Sequence, residues 1–474
     1  MSRKKSFYIT TTLPYVNAEP HIGFAYEILV TDVVARSKAE EDVFFNTGTD
    51  EHGQKIFNAA EKSREKVEKY VERYREEFKK LKSLLGLSEN LRFISTNSKE
   101  HIEAAQELWR RCQKDIYQKE FEGLYCVGCE RFLSKRDIVE NKCSIHGTEP
   151  QLLKEKNWFF NFKKYEKDLL KYLSNKEVVI PDWRRFEAID FVKEGLEDFS
   201  ISREKKRLSW GIPVPNDDTQ VMYVWFDALT SYISTLGWPL ESGDFKKFWQ
   251  DGETLQIAGK DQVRFQSLMW QAMLFSAGIK NTDQIFYHGF INSGGQKMSK
   301  SLGNVISPQD MVKKYGVDGT RYLLLKHVNS FEDTDVTWDR LDEWYEADLV
   351  NGLGNFVSRV MRMAEDNLDE PVVVQSTKMD KSISKDLAKF EIQKAINLIF
   401  ATIGTLDLEI QNKEPFKLVK SNPAKAKKII TSLVKELHTI AENLKLFMPE
   451  TSDKIFEAVK TNKKPENLFP RLNA

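Results

Sequence analysis

The run Phe7-Tyr8-Ile9-Thr10-Thr11-Thr12 is dense in β-branched and aromatic side chains, the composition of a buried strand. A loop punctuated by Pro14, Asn17 and Pro20 follows. From His21 onward, Ile22, Ala25, Ile28, Leu29, Val33 and Val34 recur at helical spacing. Strand, loop and helix in this order form the first half of a βαβ unit, which commits the chain to an α/β architecture with a parallel sheet. In that arrangement the helix N-terminus faces the crevice at the carboxyl end of the sheet, where free amides and the helix dipole favour phosphate. Gly23 permits close approach to the backbone, and His21 offers a donor. Alone, His21 reads as a helix-capping histidine; beside Gly23 and a lysine loop further on, the phosphate-binding role is preferred.

The same alternation continues. Val43–Gly48 reads as the next strand and runs into Thr49-Asp50-Glu51-His52-Gly53. Asp50 at a strand's carboxyl end is placed to meet a ligand ammonium, although an aspartate there is commonly a helix cap. Residues 55–85 read as one charged amphipathic helical stretch without chemistry. Leu255–Ala258 is a strand ending at Gly259-Lys260-Asp261, where a carboxylate suits a ribose hydroxyl pair. Phe286–Phe290 reads as the last core strand and delivers His288. It leads into Ser293-Gly294-Gly295-Gln296-Lys297-Met298-Ser299-Lys300-Ser301. Two lysines three apart behind a Gly-Gly pair form either a solvated loop or a mobile clamp on a polyphosphate, since lysine is a compact charge on a flexible stem.

Cys126-x-x-Cys129 and Cys143-x-x-His146 account for three of the 4 cysteines. Two such pairs joined by a short segment have the spacing of a tetrahedral zinc knuckle. Four protein ligands leave no open position, so the expected role is structural. Cys112 stands apart and reads as a core residue.

Composition excludes several classes. With 41% hydrophobic and 30% charged residues, the 474-residue chain is globular rather than disordered. No apolar run approaches the roughly 20 residues that span a bilayer, so no membrane role is expected. The basic start Met1–Lys5 precedes a stretch too short and polar for a signal core, and the expected location is cytoplasmic. The net charge of +0 gives no global pull on nucleic acid, so any RNA contact must use local patches.

Lys297-Met298-Ser299-Lys300-Ser301 resembles the second signature of class I aminoacyl-tRNA synthetases, and Pro20-His21-Ile22-Gly23 resembles their first. Phe24 departs from it, standing where the first signature has a second histidine. The stretch around Asp50 and the block Met222–Tyr232 are similar to methionyl-tRNA synthetases. This resemblance runs essentially end to end. It implies a Rossmann-like parallel-sheet catalytic domain with an inserted zinc-knuckle connective peptide, followed by an all-α helical bundle. The expected divisions are 1–115, 116–220, 221–342 and 343–474. The insertion is too short for the hydrolytic editing module of relatives that select isoleucine, valine or leucine.

The implied reaction is activation of methionine by ATP and transfer to tRNA(Met). His21, Gly23, Lys297 and Lys300 would be catalytic. ATP, with magnesium, would meet Gly23, Phe24, Glu27, Gly259, Asp261 and Lys300. Methionine would meet Leu13, Tyr15, Asp50, Trp225, Ala228, Leu229, Tyr232 and His288, a set whose aromatic members favour a polarizable thioether. Trp225, Ala228, Leu229 and Tyr232 also fit ordinary aromatic core. Asn355, Arg359 and Phe416 would read the anticodon, with the ring stacking on a base. Zinc would sit on Cys126, Cys129, Cys143 and His146. Gln262 and Gln266 depart from the family pattern, as does Phe416, where a tryptophan is usual. The expected state is a monomer. A synthetase-like RNA-binding protein without catalysis, and a class I enzyme for another amino acid, are the alternatives.

Overall fold

A computed structural model describes residues 5–133, 137–145, 147–298, 303–375 and 379–472. The chain divides into two compact units. The first comprises Met1–Glu19, Lys38–Lys80 and Glu89–Tyr287, and the second Pro20–Ser37, Leu81–Ser88 and His288–Ala474.

The first unit is built on a parallel sheet. Strand β1 (Ser6–Thr10) is followed by β2 (Asp42–Thr49) and β3 (Leu91–Ser95). A long antiparallel hairpin, β4 (Ile116–Cys126) with β5 (Gln151–Phe160), interrupts the alternation, its register running from Ile116 opposite Phe160 to Tyr125 opposite Gln151. The short β6 (Val179–Ile180), β7 (Glu253–Gly259) and β8 (Gln284–His288) complete the set. The sheet order is β3-β2-β1-β7-β8-β6. β1 lies between β2 and β7, parallel to both. The chain therefore moves outward in opposite directions from β1 and β7, which makes their carboxyl ends a topological switch point. Phe7, Tyr8, Ile9, Leu255, Ile257 and Ala258 are all buried, as expected where both faces of a parallel sheet are covered.

Two helices matter for the site in this unit. Lys99–Arg111 starts on Ser98, whose hydroxyl accepts from the His101 amide at 3.3 Å; the cap satisfies one free N–H. Val224–Ser234 is buried along almost its whole length. Trp109 of the first meets Phe226 of the second edge-on, ring centroids 5.4 Å apart. Cys112 is fully buried, and burial pushes its thiol up to about 12, consistent with a core role.

Residues 55–85 form two helices, Gln54–Ser63 and Val67–Leu84, separated at Arg64, whose φ of 58° ends the first. A left-handed residue leaves no trace in hydrophobic spacing, so periodicity alone merged the two.

The second unit packs α1 (Ile22–Ser37) against α2 (Pro308–His327). α2 carries Arg321, fully buried. Its guanidinium donates to Asp32 of α1 (2.8 Å), to the carbonyl of Leu85 (3.0 Å) and to the carbonyls of Leu446 (3.1 Å) and Phe447 (2.7 Å). Asn355–Asn367, Ile392–Lys413, Pro415–Ser421, Pro423–Leu444 and Pro449–Thr461 make the helical region. Residues 368–375 are not helical, so the helical character is broken there. No helix among the described residues is long and apolar enough to cross a membrane.

Burial alone would raise the Asp32 carboxyl, but the Arg321 and Arg36 charges outweigh it and hold it below its ordinary value. Replacing Arg321 with methionine leaves that carboxylate buried without its main partner. Stability should fall by about 3–5 kcal/mol, measured by urea unfolding. Because the folded value is depressed, the contribution exists above the unfolded value near ~3.9 and disappears as pH falls through the folded one. The gap between the two proteins should therefore narrow in acid.

Candidate active site

In the second unit, His21 immediately precedes α1, and its Nδ1 accepts from the Gly23 amide at 3.0 Å. The ring folds back over the first turn. A Cβ at position 23 would lie 2.7 Å from His21 Cε1, so a residue with a side chain displaces the imidazole. Phe24 is 9% exposed; its ring is packed rather than offered to solvent. The Ile22 amide donates to the Ile306 carbonyl at 3.1 Å, tying the helix start to the segment beyond the lysine loop.

That loop opens as a hairpin. Ile291–Ser293 pairs with Gln296–Lys297 across Gly294 and Gly295, whose φ values are 65° and 71°. A two-residue turn with both φ positive needs such residues. Asp335 fixes the Gly295 amide at 2.7 Å, and Asn304 donates to the Ser293 carbonyl at 3.1 Å. Lys297 emerges exposed, its ammonium 5.4 Å from the Phe290 ring centroid. The His21 imidazole is held below the usual histidine range, by desolvation first and the Lys297 charge second. His21 stands at the exposed start of the helix, within reach of the Lys297 charge. Ser299, Lys300 and Ser301 lie outside the described residues.

His288 is buried and doubly fixed. Nδ1 lies 2.7 Å from the Gly289 carbonyl and Nε2 3.0 Å from Glu27. Tyr26 meets the ring edge-on at 5.4 Å. Glu27 is thus engaged with His288.

In the first unit, Tyr15 and Asp50 are joined by backbone. The Asp50 amide donates to Pro14 (3.0 Å) and the Val16 amide to Asp50 (3.2 Å). Tyr15 meets Trp225 edge-on at 6.0 Å, and Trp225 stacks on Phe265 with centroids 3.7 Å apart. Ala228, Leu229 and Tyr232 are buried on the same helix, and Leu13 packs against that core. The Tyr232 hydroxyl accepts from Gln266 Nε2 at 2.6 Å. The Tyr15 hydroxyl is buried and without a partner among the described residues. Asp50 is 1% exposed, and its carboxyl is pushed well above the ordinary range, by burial first and then by the neighbouring Asp227 carboxylate. An amphipathic cation that brings an ammonium to Asp50 and an apolar tail to the aromatic pair would relieve that cost. Gly259 closes β7, and the exposed Asp261 accepts from Gln262 Nε2 at 3.1 Å.

Cys126, Cys129 and Cys143 converge at the tip of the β4–β5 hairpin, all buried, with their sulfurs within 4.8 Å of one another. Cys129 and Cys143 Sγ are 3.5 Å apart. Three convergent sulfurs suit a soft or borderline ion. His146 lies outside the described residues. The cysteine cluster is tied to the aromatic pair, because Trp225 Nε1 donates to the Cys129 carbonyl at 3.3 Å.

In the helical region, Ser358, Arg359, Arg362, Met363, Ile410, Phe416 and Lys464 line a groove of about 590 Å³. Arg359 and Phe416 therefore share one surface. Asn355 is exposed four residues before Arg359, on the same helix face. Arg359 is paired with Asp407.

The sequence reading passed over His101, Asp227 and Glu130, all buried and all gathered around Asp50 or its loop. Asp227 had a local signal, an acid inside the apolar stretch Val224–Leu229, whereas His101 and Glu130 lie in polar stretches that gave none.

Residues 7–143 and 135–361 match the family described as tRNA synthetases class I (M). The chain is 37% identical to the methionine–tRNA ligase of Fusobacterium nucleatum subsp. nucleatum, over 98% of this chain and 76% of that relative. It is 36% identical to that of Rhizobium meliloti, over 96% and 91%. Among solved structures, Mycobacterium tuberculosis methionyl-tRNA synthetase in complex with methionyl-adenylate aligns with a TM-score of 0.87 at 33% identity, covering 98% of each chain.

If Lys297 acts on His21 through its charge, Lys297→Ala should raise the His21 pKa toward the ordinary histidine value. An NMR titration of the ring protons reads this directly, and an unchanged value would refute the electrostatic link.

Proposed function

This chain belongs to the methionyl group of the class I tRNA synthetases, and from that membership we propose how its residues divide the reaction. The reaction is ATP-dependent: L-methionine and ATP give methionyl-adenylate and pyrophosphate, and the methionyl group then passes to tRNA(Met).

Asp50 receives the α-ammonium, and Leu13, Tyr15, Trp225, Ala228, Leu229 and Tyr232 surround the thioether side chain. Gly259 and Asp261 take the adenosine ribose. His288 also meets the side chain, and Gly23, Phe24 and Glu27 meet the nucleotide. His21, Lys297 and Lys300 act on the phosphates, with magnesium as the counter-ion. The methionine carboxylate attacks the α-phosphorus in line, pyrophosphate leaves, and no covalent enzyme intermediate forms. Catalysis is positioning and charge stabilisation. The observation that carries this reading is the buried Asp50 carboxylate beside the Tyr15–Trp225 aromatic pair.

Zinc fits the donor set of Cys126, Cys129 and Cys143 with His146 as fourth ligand, and supplies folding free energy rather than chemistry. Asn355, Arg359 and Phe416 read the anticodon. The four-part division of the sequence follows: two halves of a catalytic domain around the 116–220 insertion, then the anticodon-binding helices.

Methionine-dependent ATP–pyrophosphate exchange tests the assignment. Exchange is expected with methionine and not with leucine or isoleucine; absence of exchange with methionine overturns it. Gly23→Ala should lower the exchange rate by about 100-fold through the displaced His21 ring. Chelation should remove about one zinc per chain and lower the melting temperature, read by elemental analysis beside a thermal melt; an unchanged melt refutes the structural role.

A further inference from the structure

Asp227 sits in the first turn of Val224–Ser234, the helix that also carries Trp225, and is fully buried. Two imidazoles flank it. His52 Nδ1 lies 3.1 Å from Oδ2, and His101 Nε2 lies 3.3 Å from Oδ1. His101 Nδ1 reaches back to Ser234 Oγ of the same helix at 2.9 Å. His52 belongs to the loop after β2, and its backbone amide donates to Asp50 Oδ1 at 3.4 Å. Three elements thus meet at one carboxylate: the Asp50 loop, the helix Lys99–Arg111 and the pocket helix.

The neighbouring charges make the arrangement informative. Glu51 is held by Arg75 (2.7 and 2.9 Å) and Thr49 (2.6 Å). Glu130 accepts from Tyr125 (2.8 Å) and the Lys55 amide. Tyr15 faces the same cluster with a buried neutral hydroxyl. Burial opposes charge on both members of the Asp227–His52 pair, yet their mutual attraction prevails: Asp227 stays below the ordinary carboxyl value and His52 above the ordinary imidazole value. Every carboxylate around Asp50 therefore has a partner of its own, while among the described residues no lysine, arginine or histidine side chain forms an ion pair with Asp50. Asp227 already opposes ionisation of Asp50; without the two imidazoles that opposition would grow, and the Asp50 loop would lose its tie to the pocket helix.

We propose that Asp227, clamped between His52 and His101, is a positioning residue that holds the Asp50 loop on the pocket helix and thereby sets the affinity for the substrate's α-ammonium. This rests on the reading that Asp50 takes that ammonium.

The test is a cycle of Asp50→Ala, Asp227→Asn and the double variant, read by exchange kinetics and by equilibrium binding. Two ligands are used: methionine, and 4-(methylthio)butanoate, which lacks the amino group. Asp227→Asn should raise the KM for methionine about tenfold, with the KM for ATP unchanged. It should leave binding of the amine-free acid as in the parent protein, and add nothing in the Asp50→Ala background. An equal loss for both ligands, or a full additional loss in that background, overturns the proposal in favour of plain packing. Asp50→Ala leaving the methionine KM unchanged overturns the underlying reading instead. His101→Gln, which keeps an N–H toward Asp227, should retain methionine affinity where His101→Leu loses it; equal behaviour of these two also overturns the proposal. Melting temperatures confirm that each variant is folded.

Discussion

The hydrogen-bonded ladder between Ser6–Thr10 and Glu253–Gly259 joins the first strand of the chain to one that arrives only after a long insertion. Each of these strands sits at the centre of the sheet, and their onward connections diverge. A parallel strand pair with diverging connections leaves a crevice at its carboxyl end that no crossover fills. Leu13 and Tyr15 leave one strand there, and Lys260 and Asp261 leave the other. These four are loop residues held by a rigid ladder, so their placement follows from strand pairing.

Charge burial is the second theme. Arg321 and Asp32 lie in the interior of the second unit, and the guanidinium is satisfied by carbonyls as well as by the carboxylate. Asp227 with its two histidines does the same in the first unit. Both arrangements accord with the rule that a buried charge persists only when paired and hydrogen-bonded. Asp50 is buried too, but lacks a counter-cation among the described side chains. A carboxylate kept in that condition is a natural receptor for a cation brought by a ligand.

The cluster of Cys126, Cys129 and Cys143 is tied to the same elements. Its Cys129 carbonyl holds the Trp225 indole, and Glu130 next to it holds the amide of Lys55 at the start of the helix after the Asp50 loop. A structural metal at the hairpin tip would stiffen both the Trp225 indole and the helix after the Asp50 loop at once.

Sequence pattern alone determined a good deal. β-branched runs and 3.6-residue spacing located β1, α1, β2 and β7 to within a few residues, because burial periodicity is a local property. The paired cysteines and the Gly-Gly-bearing lysine hairpin were legible for a similar reason: ligand spacing and turn chemistry are written in adjacent residues. What only the tertiary structure decided was pairing between distant residues. It decided that Glu27 engages His288 and that Arg359 shares a groove with Phe416. It also decided that His52 and His101 converge on Asp227. Each of these depends on side chains far apart in the chain, whose meeting is fixed by strand order and helix packing, and no local signal in composition or spacing encodes that.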